Sequence, residues 1–418
     1  MREWYRREVT DYRPRLIDDT VLAMLDELPA LFLTGPRASG KTTTAVRHAA
    51  TTVRLDRSAE AVAFRADPDA ALRDLTEPVL LDEWQVVPDV IGAVKRAVDD
   101  DPRPGRFIVA GSVRGDLEGD LWPGTGRLTR IPLFGMTVRE QLGLTTSEPF
   151  LDRVASESDL RPAADGPDLR GYVELLLRSG FPEPALRFGA EARRRWLESY
   201  VEHLLTRDAE EIDGGRDPAR LRRYLEAYAL NTAGIVRDTT LLEAAGINRK
   251  TGTAYERLLA NLLVVESIPA WTSNRLKRLA LSPKRYVIDP AIAAAVLGLD
   301  VDLVMRSGDL LGRLLDTFVL AQLRAELAVT DARPRLYHVR QREGRLEIDL
   351  LAELAGGRLI GLEVKADASP GPASARHLAA LRDRHQEAFV AGVVLHTGPR
   401  TYALGDRLVA APISTLWA

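Results

Sequence analysis

The chain has 418 residues with no cysteine, and its 57 basic and 60 acidic residues give a formal net charge of -3. This length predicts several domains, and the charge balance argues against a polycation that binds nucleic acid along its whole surface. The absence of cysteine excludes disulfides, thiol catalysis and cysteine-based zinc sites. The charged N-terminal residues, with no long apolar run anywhere, predict a cytoplasmic protein without a membrane segment.

The first motif in the chain is a phosphate loop. An apolar run at 29–34 predicts a buried strand, and residues 43–50 predict a helix. The G-x-x-x-x-G-K-T pattern stands between them, and with the residue after it gives the expected nucleotide-binding set: Gly35, Pro36, Arg37, Ala38, Ser39, Gly40, Lys41, Thr42 and Thr43. Backbone N–H groups and the positive end of the helix would wrap the phosphates. We expect Lys41 to reach the terminal phosphates and the Thr42 hydroxyl to ligate magnesium.

A pair of acids follows the next apolar strand. Residues 79–81 are apolar, and Asp82 and Glu83 follow them directly. We expect Asp82 to hold magnesium, largely through water, and Glu83 to activate the attacking water. The adjacent second acid favours hydrolysis of the nucleotide over binding alone.

Three further residues are candidates for catalysis. The strand at 106–110 is followed by Gly111 and Ser112, and Ser112 could bond the attacking water or the γ-phosphate, or be a simple turn serine. Arg127 and Arg130 flank the predicted strand at 128–133. Either arginine could stabilise transition-state charge in a neighbouring subunit, so an oligomer is compatible with the sequence. Ordinary solvent-exposed arginines are the alternative.

Taken together, these motifs resemble a family of bacterial AAA-type ATPases in which the ATPase precedes a C-terminal region of unassigned function. The resemblance extends along nearly the whole chain and implies ATP as the nucleotide, with the phosphate-loop strand central in its sheet. Trp84 departs from the pattern, which has an aliphatic residue there. The residues that carry the resemblance are Leu33–Arg37, Gly40–Thr43, Leu81–Gln85, Gly111–Ser112, Gly126–Arg127 and Leu133–Phe134.

The middle of the chain predicts helices and a small sheet. A polar linker is followed by a region in which apolar residues have helical spacing. After it, the pattern predicts three helices at 221–230, 239–245 and 249–260 and two strands at 262–268 and 286–288. This order predicts a winged helix-turn-helix. DNA is therefore a candidate partner, although such modules also serve as lids or protein-interaction surfaces. The basic residues that would contact DNA are Arg249, Lys250, Arg257, Arg275, Lys277 and Arg278.

Acidic residues recur on the last predicted elements. A helix at 309–327 carries Asp316, a strand at 346–353 carries Asp349, and a strand at 359–364 carries Glu363, followed by Lys365. This order is that of restriction-endonuclease-like metal nucleases, in which carboxylates bind magnesium and the lysine orients water. The family resemblance implies the same C-terminal fold. A charged edge hairpin is the alternative.

The loop between these two strands tests the nuclease hypothesis. A two-residue turn at Gly356 and Gly357 would pair Asp349 with Val364 and place Asp349 on the face opposite Glu363. A three-residue loop or a bulge would return the two acids to one face. The hypothesis therefore predicts an odd-length loop or a bulge.

The predicted fold class is α/β. The expected domains are a P-loop AAA-type ATPase domain (1–145), a helical linker or lid (146–215), a winged helix-turn-helix (216–300) and a nuclease-like α/β domain (301–418). The first hypothesis is an ATPase that switches its attached domains. The alternatives are an ATP-controlled, metal-dependent DNA nuclease and a non-catalytic, ATP-gated DNA-binding regulator.

Overall fold

The structure, a computed structural model, describes residues 12–111, 124–157, 160–208, 217–341 and 346–418. The chain forms two compact units. The first comprises residues 1–136 with two short segments, Phe181–Glu183 and Asn261–Leu263, and the second comprises the rest. The three domains predicted after residue 145 lie mainly in the second unit, and their separate boundaries stay a prediction.

The first unit is a parallel sheet with helices on its faces. Its strands lie in the order β2-β3-β4-β1-β5, and every pairing is parallel. The phosphate-loop strand β1 is thus an inner strand, between β4 and β5. The elements are α1 (Asp18–Glu27), β1 (Ala30–Thr34), α2 (Lys41–Val46), β2 (Thr51–Arg54), α3 (Ser58–Ala66), α4 (Pro68–Leu72), β3 (Val79–Asp82), α5 (Val90–Asp100), β4 (Phe107–Gly111) and β5 (Thr129–Pro132).

Strands β1, β3 and β4 are buried along their whole length, as expected of parallel strands covered on both faces. Their apolar side chains meet those of α3 and α5 in one core, which includes Phe32, Phe64 and Val94. Trp84 belongs to this core, and its ring lies edge-on to that of Phe32 with 5.9 Å between the centroids. The aromatic residue that departs from the family pattern therefore fills the core directly beneath the sheet.

The second unit begins with helices and a two-stranded antiparallel sheet. The three helices predicted at 221–260 are present, and β6 pairs with β7. Residues 275–278, predicted as a basic stretch, form a short helix. The elements are α6 (Val138–Leu142), α7 (Phe150–Ala155), α8 (Leu169–Arg178), α9 (Pro182–Arg187), α10 (Ala190–His203), α11 (Pro218–Leu230), α12 (Asp238–Ala245), α13 (Arg249–Asn261), β6 (Val265–Ile268), α14 (Arg275–Arg278), β7 (Lys284–Val287), α15 (Pro290–Leu297) and α16 (Val301–Arg306).

The remainder of the second unit is a six-stranded mixed sheet in the order β12-β13-β11-β10-β9-β8. Strands β8, β9 and β10 are antiparallel, whereas β11 runs parallel to β10 and is reached through α18. Helix α18 packs close to β10, because a Cβ atom on Gly361 would lie 2.6 Å from the Leu378 side chain. The elements are α17 (Gly308–Glu326), β8 (Arg335–Gln341), β9 (Leu346–Glu353), β10 (Leu359–Val364), α18 (Arg376–Arg384), β11 (Phe389–His396), β12 (Tyr402–Gly405) and β13 (Leu408–Pro412).

The loop between β9 and β10 has an odd length. Glu353 pairs with Leu359, so the five residues 354–358 connect the strands. This register differs by one residue from that of a two-residue turn, and its continuation places Asp349 directly across from Glu363. The predicted odd-length loop is confirmed, and the two acids share a face of the sheet.

Among the described residues, no helix is both long and apolar enough to cross a membrane.

Candidate functional site

The phosphate loop (Gly35–Thr42) connects the carboxyl end of β1 to the first turn of α2. Gly40 has φ +93°, a left-handed conformation that favours glycine. A Cβ atom on Gly35 would lie 2.0 Å from the carbonyl oxygen of Leu133, so a side chain does not fit there. Both glycines of the motif are therefore required by the backbone.

Lys41 lies inside the curve of this loop. Its Nζ donates to the carbonyl oxygens of Gly35, at 3.0 Å, and Pro36, at 2.8 Å. Burial lowers the pKa of Lys41 to about 8, although the negative charges of Glu83 and Asp82 oppose this shift. The ammonium group is thus desolvated and held by neutral acceptors, which a phosphate oxygen could replace.

Thr42 and Asp82 meet, as the motif reading requires. The Thr42 hydroxyl donates to Asp82 Oδ1 at 3.0 Å. Burial, followed by the neighbouring charge of Glu83, raises the pKa of Asp82 to about 6. A hydroxyl and a carboxylate are oxygen ligands of the kind that magnesium prefers, so this pair fits the expected ion.

Glu83 follows β3 in a conformation unusual for its residue type. Its φ is +54°, in the left-handed region, which non-glycine residues rarely adopt. The Gln85 side-chain amide donates to Glu83 Oε2 and orients the carboxylate. Backbone strain of this kind is concentrated at functional sites, which agrees with a role for Glu83 at the end of the strand.

Two other predicted catalytic residues are not brought to this site by any described contact. Ser112 lies outside the described residues. Arg127 donates from Nε to Asp99 Oδ1 at 2.7 Å, and both side chains are partly exposed, at 42% and 33%. The role of Arg127 as a finger for a neighbouring subunit stays a prediction.

Arg15 supports the phosphate loop, and the motif reading missed it. The guanidinium donates from Nη1 to the carbonyl oxygen of Ser39 and from Nη2 to that of Phe134, each at 2.8 Å. Arg15 is buried, with 4% of its surface exposed. It therefore ties the loop to the segment that follows β5.

The second unit brings together the predicted acids of β9 and β10. The backbone N–H of Val364 donates to Asp349 Oδ2 at 3.0 Å. Lys365 Nζ donates to Glu363 Oε2 at 2.6 Å and lies 3.8 Å from Asp349 Oδ2. These residues, with Asp316 and Lys284, are called the carboxylate cluster below.

Lys284 is the member of the carboxylate cluster that sequence reasoning missed. Its Nζ donates to Asp316 Oδ2 and, at 3.2 Å, to Asp349 Oδ1. The Tyr286 hydroxyl donates to Asp316 Oδ1 at 3.0 Å. Asp316 is therefore paired with Lys284 and Tyr286, and its role as a metal ligand stays a prediction. Within the described ranges, no three His, Cys, Asp or Glu side chains are grouped to hold a metal ion.

The charges within the carboxylate cluster shift one another's ionisation. Burial alone lowers the pKa of Lys284, but Asp316 and Asp349 outweigh it and raise that pKa well above its usual value. Burial raises the pKa of Asp349, but Lys284 and Lys365 outweigh it, so the pKa is lowered. Burial, then the charge of Asp349, raises the pKa of Glu363 to about 8.

The carboxylate cluster opens into a cavity of about 550 Å³. Asp316, Asp349 and Lys365 contribute to its wall, together with the guanidinium-bearing residues Arg313 and Arg340. The wall of this cavity thus carries both carboxylates and basic side chains.

The basic residues expected to contact DNA divide into two groups. Arg249, Lys250 and Lys277 are exposed. Arg278 instead donates to both carboxylate oxygens of Glu353, at 2.7 and 2.9 Å, and to the carbonyl oxygen of Thr272. Arg278 is thus held by the chain itself, and its predicted position on a DNA phosphate has no support.

The sheet, the phosphate loop and the Thr42–Asp82 pair define an AAA-type P-loop ATPase domain, and residues 27–142 match the family described as an AAA domain. Residues 169–303 and 311–416 match two domains of unknown function, DUF8612 and DUF4143. The chain is 31% identical over 392 residues to the uncharacterised proteins Rv2008c of Mycobacterium tuberculosis and Mb2031c of Mycobacterium bovis. The alignment covers 93% of this chain and 81% of each relative. The chain belongs to the family of these proteins.

Solved structures are also similar to it. The Walker-type ATPase PABY2304 of Pyrococcus abyssi is 15% identical, with a TM-score of 0.45, over 69% of this chain and 97% of that one. The Aeropyrum pernix ORC1 protein, solved in complex with DNA, is 15% identical, with a TM-score of 0.30, over 72% and 97%. Since both TM-scores are below 0.5, the assignment to the class rests on the matched AAA domain and the phosphate loop.

Proposed function

We propose that the protein is a magnesium-dependent ATPase whose nucleotide state switches the domains attached to it. The observation that carries this proposal is the 3.0 Å hydrogen bond from Thr42 to Asp82, with Glu83 next in the chain. The bond supports the proposal because it joins a hydroxyl and a carboxylate, which are oxygen ligands of the kind that magnesium prefers, beside a candidate base. The arrangement favours water as the nucleophile, because Glu83 follows the strand end directly.

Each residue has a distinct part in the proposed reaction. Lys41 would exchange the carbonyls of Gly35 and Pro36 for phosphate oxygens. Thr42 and, through water, Asp82 would hold magnesium, which when bound neutralises charge on the phosphates. Glu83 would orient the attacking water and accept its proton.

The switching part of the proposal rests on the domains that follow. Two further family domains, at 169–303 and 311–416, come after the AAA domain in the same chain. The expected use of hydrolysis is therefore a change in those domains rather than transfer of a phosphoryl group to a small molecule.

The test is ATP turnover, with and without DNA, by wild type, Lys41→Ala and Glu83→Gln. Loss of a general base lowers the rate by about 10²- to 10⁴-fold, so Glu83→Gln should hydrolyse slowly yet bind ATP. Lys41→Ala should lose both binding and turnover, and Glu27→Gln, an exposed acid on α1, should resemble wild type. Wild-type turnover no faster than that of Lys41→Ala under every condition would overturn the proposal.

A second candidate function is metal-dependent DNA cleavage at the carboxylate cluster. The observation that favours it is the register that puts Asp349 across from Glu363, with Lys365 beside them. The antiparallel β8-β9-β10 order followed by a parallel crossover also supports a nuclease-like interpretation of this domain. Two observations stand against it: the ammonium group of Lys284 lies between Asp316 and Asp349, and the described acids and histidines are not grouped to hold a metal ion.

Cleavage of plasmid and single-stranded DNA with magnesium tests this second function. Wild type should cut, and Asp349→Ala and Lys365→Ala should not, while their ATP turnover persists. No cleavage by wild type counts against the nuclease. Salt-sensitive DNA binding that is weakened by charge reversal at Arg275 and Lys277, without cleavage, would instead support the ATP-gated regulator.

A further inference from the structure

We propose that Lys284 is a built-in cation that occupies the carboxylate cluster, and that a divalent metal binds there only when its ammonium group is withdrawn. The inference rests on the second candidate function, because it concerns the same carboxylates. It assigns to β7 a blocking role.

The ammonium group of Lys284 is buried and fully hydrogen-bonded. Lys284 is 4% exposed, and its Nζ has three acceptors: Asp316 Oδ2, Asp349 Oδ1 and the Asp349 carbonyl oxygen. An ammonium group has three N–H donors, so its hydrogen-bonding capacity is filled. A cation with matched partners thus stands between two carboxylates that belong to α17 and β9.

Lys284 leaves some carboxylate oxygen atoms of the cluster without a bond to its ammonium group. Glu363 is 4% exposed, and its Oε1 is buried with no hydrogen-bond partner. Its other oxygen accepts from Lys365, and Asp349 Oδ2 accepts from the Val364 N–H. Carboxylate oxygens are the ligands that magnesium and manganese prefer, and those of Asp316 and Asp349 face the place of the ammonium group. In the present arrangement Glu363 is not grouped with them, so withdrawal of Lys284 must let the three carboxylates move together around the ion.

Lys284 is the first residue of β7, where it pairs with Ile268 of β6, and it follows two exposed residues at 281–282. Strand β7 belongs to the two-stranded sheet, whereas Asp349 and Glu363 belong to the six-stranded sheet. The cation therefore reaches its partners from a different sheet, and its withdrawal requires a displacement of the start of β7 relative to α17 and β9.

The test uses the full-length protein without nucleotide and manganese as the probe. Lys284→Met keeps the length of the side chain and removes its charge, and Lys277→Met, exposed on α14, is the matched control. Calorimetry and manganese electron paramagnetic resonance should show one more bound ion in Lys284→Met than in wild type or Lys277→Met. The additional site should disappear in Lys284→Met/Asp349→Asn.

Thermal unfolding keeps the proposal testable where the variant is unstable. Lys284→Met leaves buried carboxylates without their cation, so its Tm should fall. Manganese at 100 times its Kd should then raise that Tm by about 5 °C more than it raises the wild-type Tm. The same comparison with Lys284→Gln checks that the effect does not depend on the methionine.

The inference is overturned if manganese binds to Lys284→Met and Lys284→Gln no better than to wild type and raises the Tm of neither variant more than that of wild type. The same holds if both variants are unfolded and manganese does not restore their folding. It is also overturned if wild type binds manganese at Asp349 as tightly as Lys284→Met. DNA cleavage by the same proteins separates this result from the nuclease hypothesis. Manganese binding by Lys284→Met without cleavage leaves Lys284 as the blocking cation and removes the nuclease, whereas equal cleavage by wild type and Lys284→Met does the reverse.

Discussion

The Thr42 hydroxyl donates a 3.0 Å hydrogen bond to Asp82 Oδ1, across 40 residues of sequence. The bond joins the first turn of α2 to the last residue of β3. Asp82 is 4% exposed, and burial, followed by the charge of Glu83, raises its pKa. Without a bound metal ion, the environment of Asp82 is therefore unfavourable for the negative charge of its carboxylate.

Replacement of Asp82 by asparagine should increase stability while it abolishes turnover. Because burial raises the pKa of Asp82 to about 6, the folded state binds its proton more tightly than the unfolded state does. The wild-type free energy of unfolding thus carries a penalty above pH 6, which is relieved as pH falls toward 4. Asp82→Asn should be more stable than wild type by about 3 kcal/mol at pH 8. Denaturant unfolding across this pH range measures the difference.

The difference should fall as the pH is lowered from 6 and approach zero near pH 3, where the carboxyl group is mostly protonated in both states. Asp26→Asn, at an exposed position of α1, is the control and should show no such pH dependence. A constant difference between Asp82→Asn and wild type from pH 8 to pH 4 would contradict the argument.

Arg127 allows a choice between a catalytic finger and a surface ion pair. The pair with Asp99 is exposed, so it contributes little to the stability of the fold. We expect Arg127→Ala to keep ATP turnover within about threefold of wild type, and Asp99→Ala to behave alike. A transition-state finger would instead lower kcat by about 10³-fold or more in Arg127→Ala alone. Turnover measured over a range of protein concentrations, where any oligomer would form, decides between the two.

The phosphate loop could be predicted from sequence because its chemistry is contained in eight consecutive residues. The meeting of Thr42 with Asp82 followed from a general rule, since the parallel strands of one sheet present their carboxyl ends at the same edge. The face shared by Asp349 and Glu363 could be stated only as a condition on the loop. That condition was decided by the five-residue connection at 354–358.

Arg15 and Lys284 could not be predicted, for a physical reason common to both. Arg15 bonds to backbone carbonyl oxygens 24 and 119 residues away, and a carbonyl has no signature in sequence. Lys284 reaches Asp349 across 65 residues from a separate sheet. Only the packing of distant elements selects these two side chains from the 57 basic residues of the chain.

Gly111 should tolerate no side chain, because Trp84 occupies the space beside it. A Cβ atom there would lie 2.4 Å from Trp84 Nε1 and 2.7 Å from Gln85 Oε1. The buried indole cannot move freely, so Gly111→Ala should cost about 1 to 3 kcal/mol of stability. It should also lower turnover, because Gln85 bonds to Glu83. Denaturant unfolding and ATP turnover measure the two effects.

The packing explanation is checked by a double-mutant cycle. Trp84→Leu removes the indole, so it should relieve the clash that Gly111→Ala creates. The loss of stability in the double variant should be smaller than the sum of the losses in the two single variants, by about 1 kcal/mol or more. Additive costs would show that the methyl group at Gly111 is harmful for a reason other than contact with Trp84.

Arg15 should affect nucleotide binding more than the chemical step. Arg15→Ala removes the donors that hold the carbonyls of Ser39 and Phe134, and buried acceptors without a partner cost about 1 to 3 kcal/mol. Because Ser39 belongs to the phosphate loop, we expect ATP affinity to fall about tenfold, measured by calorimetry. Arg15→Lys should recover only part, since one ammonium group cannot reproduce the forked pair of donors. Arg13→Ala, exposed on the same segment, should bind ATP as wild type does, and equal affinities for Arg15→Ala and Arg13→Ala would contradict the supporting role of Arg15.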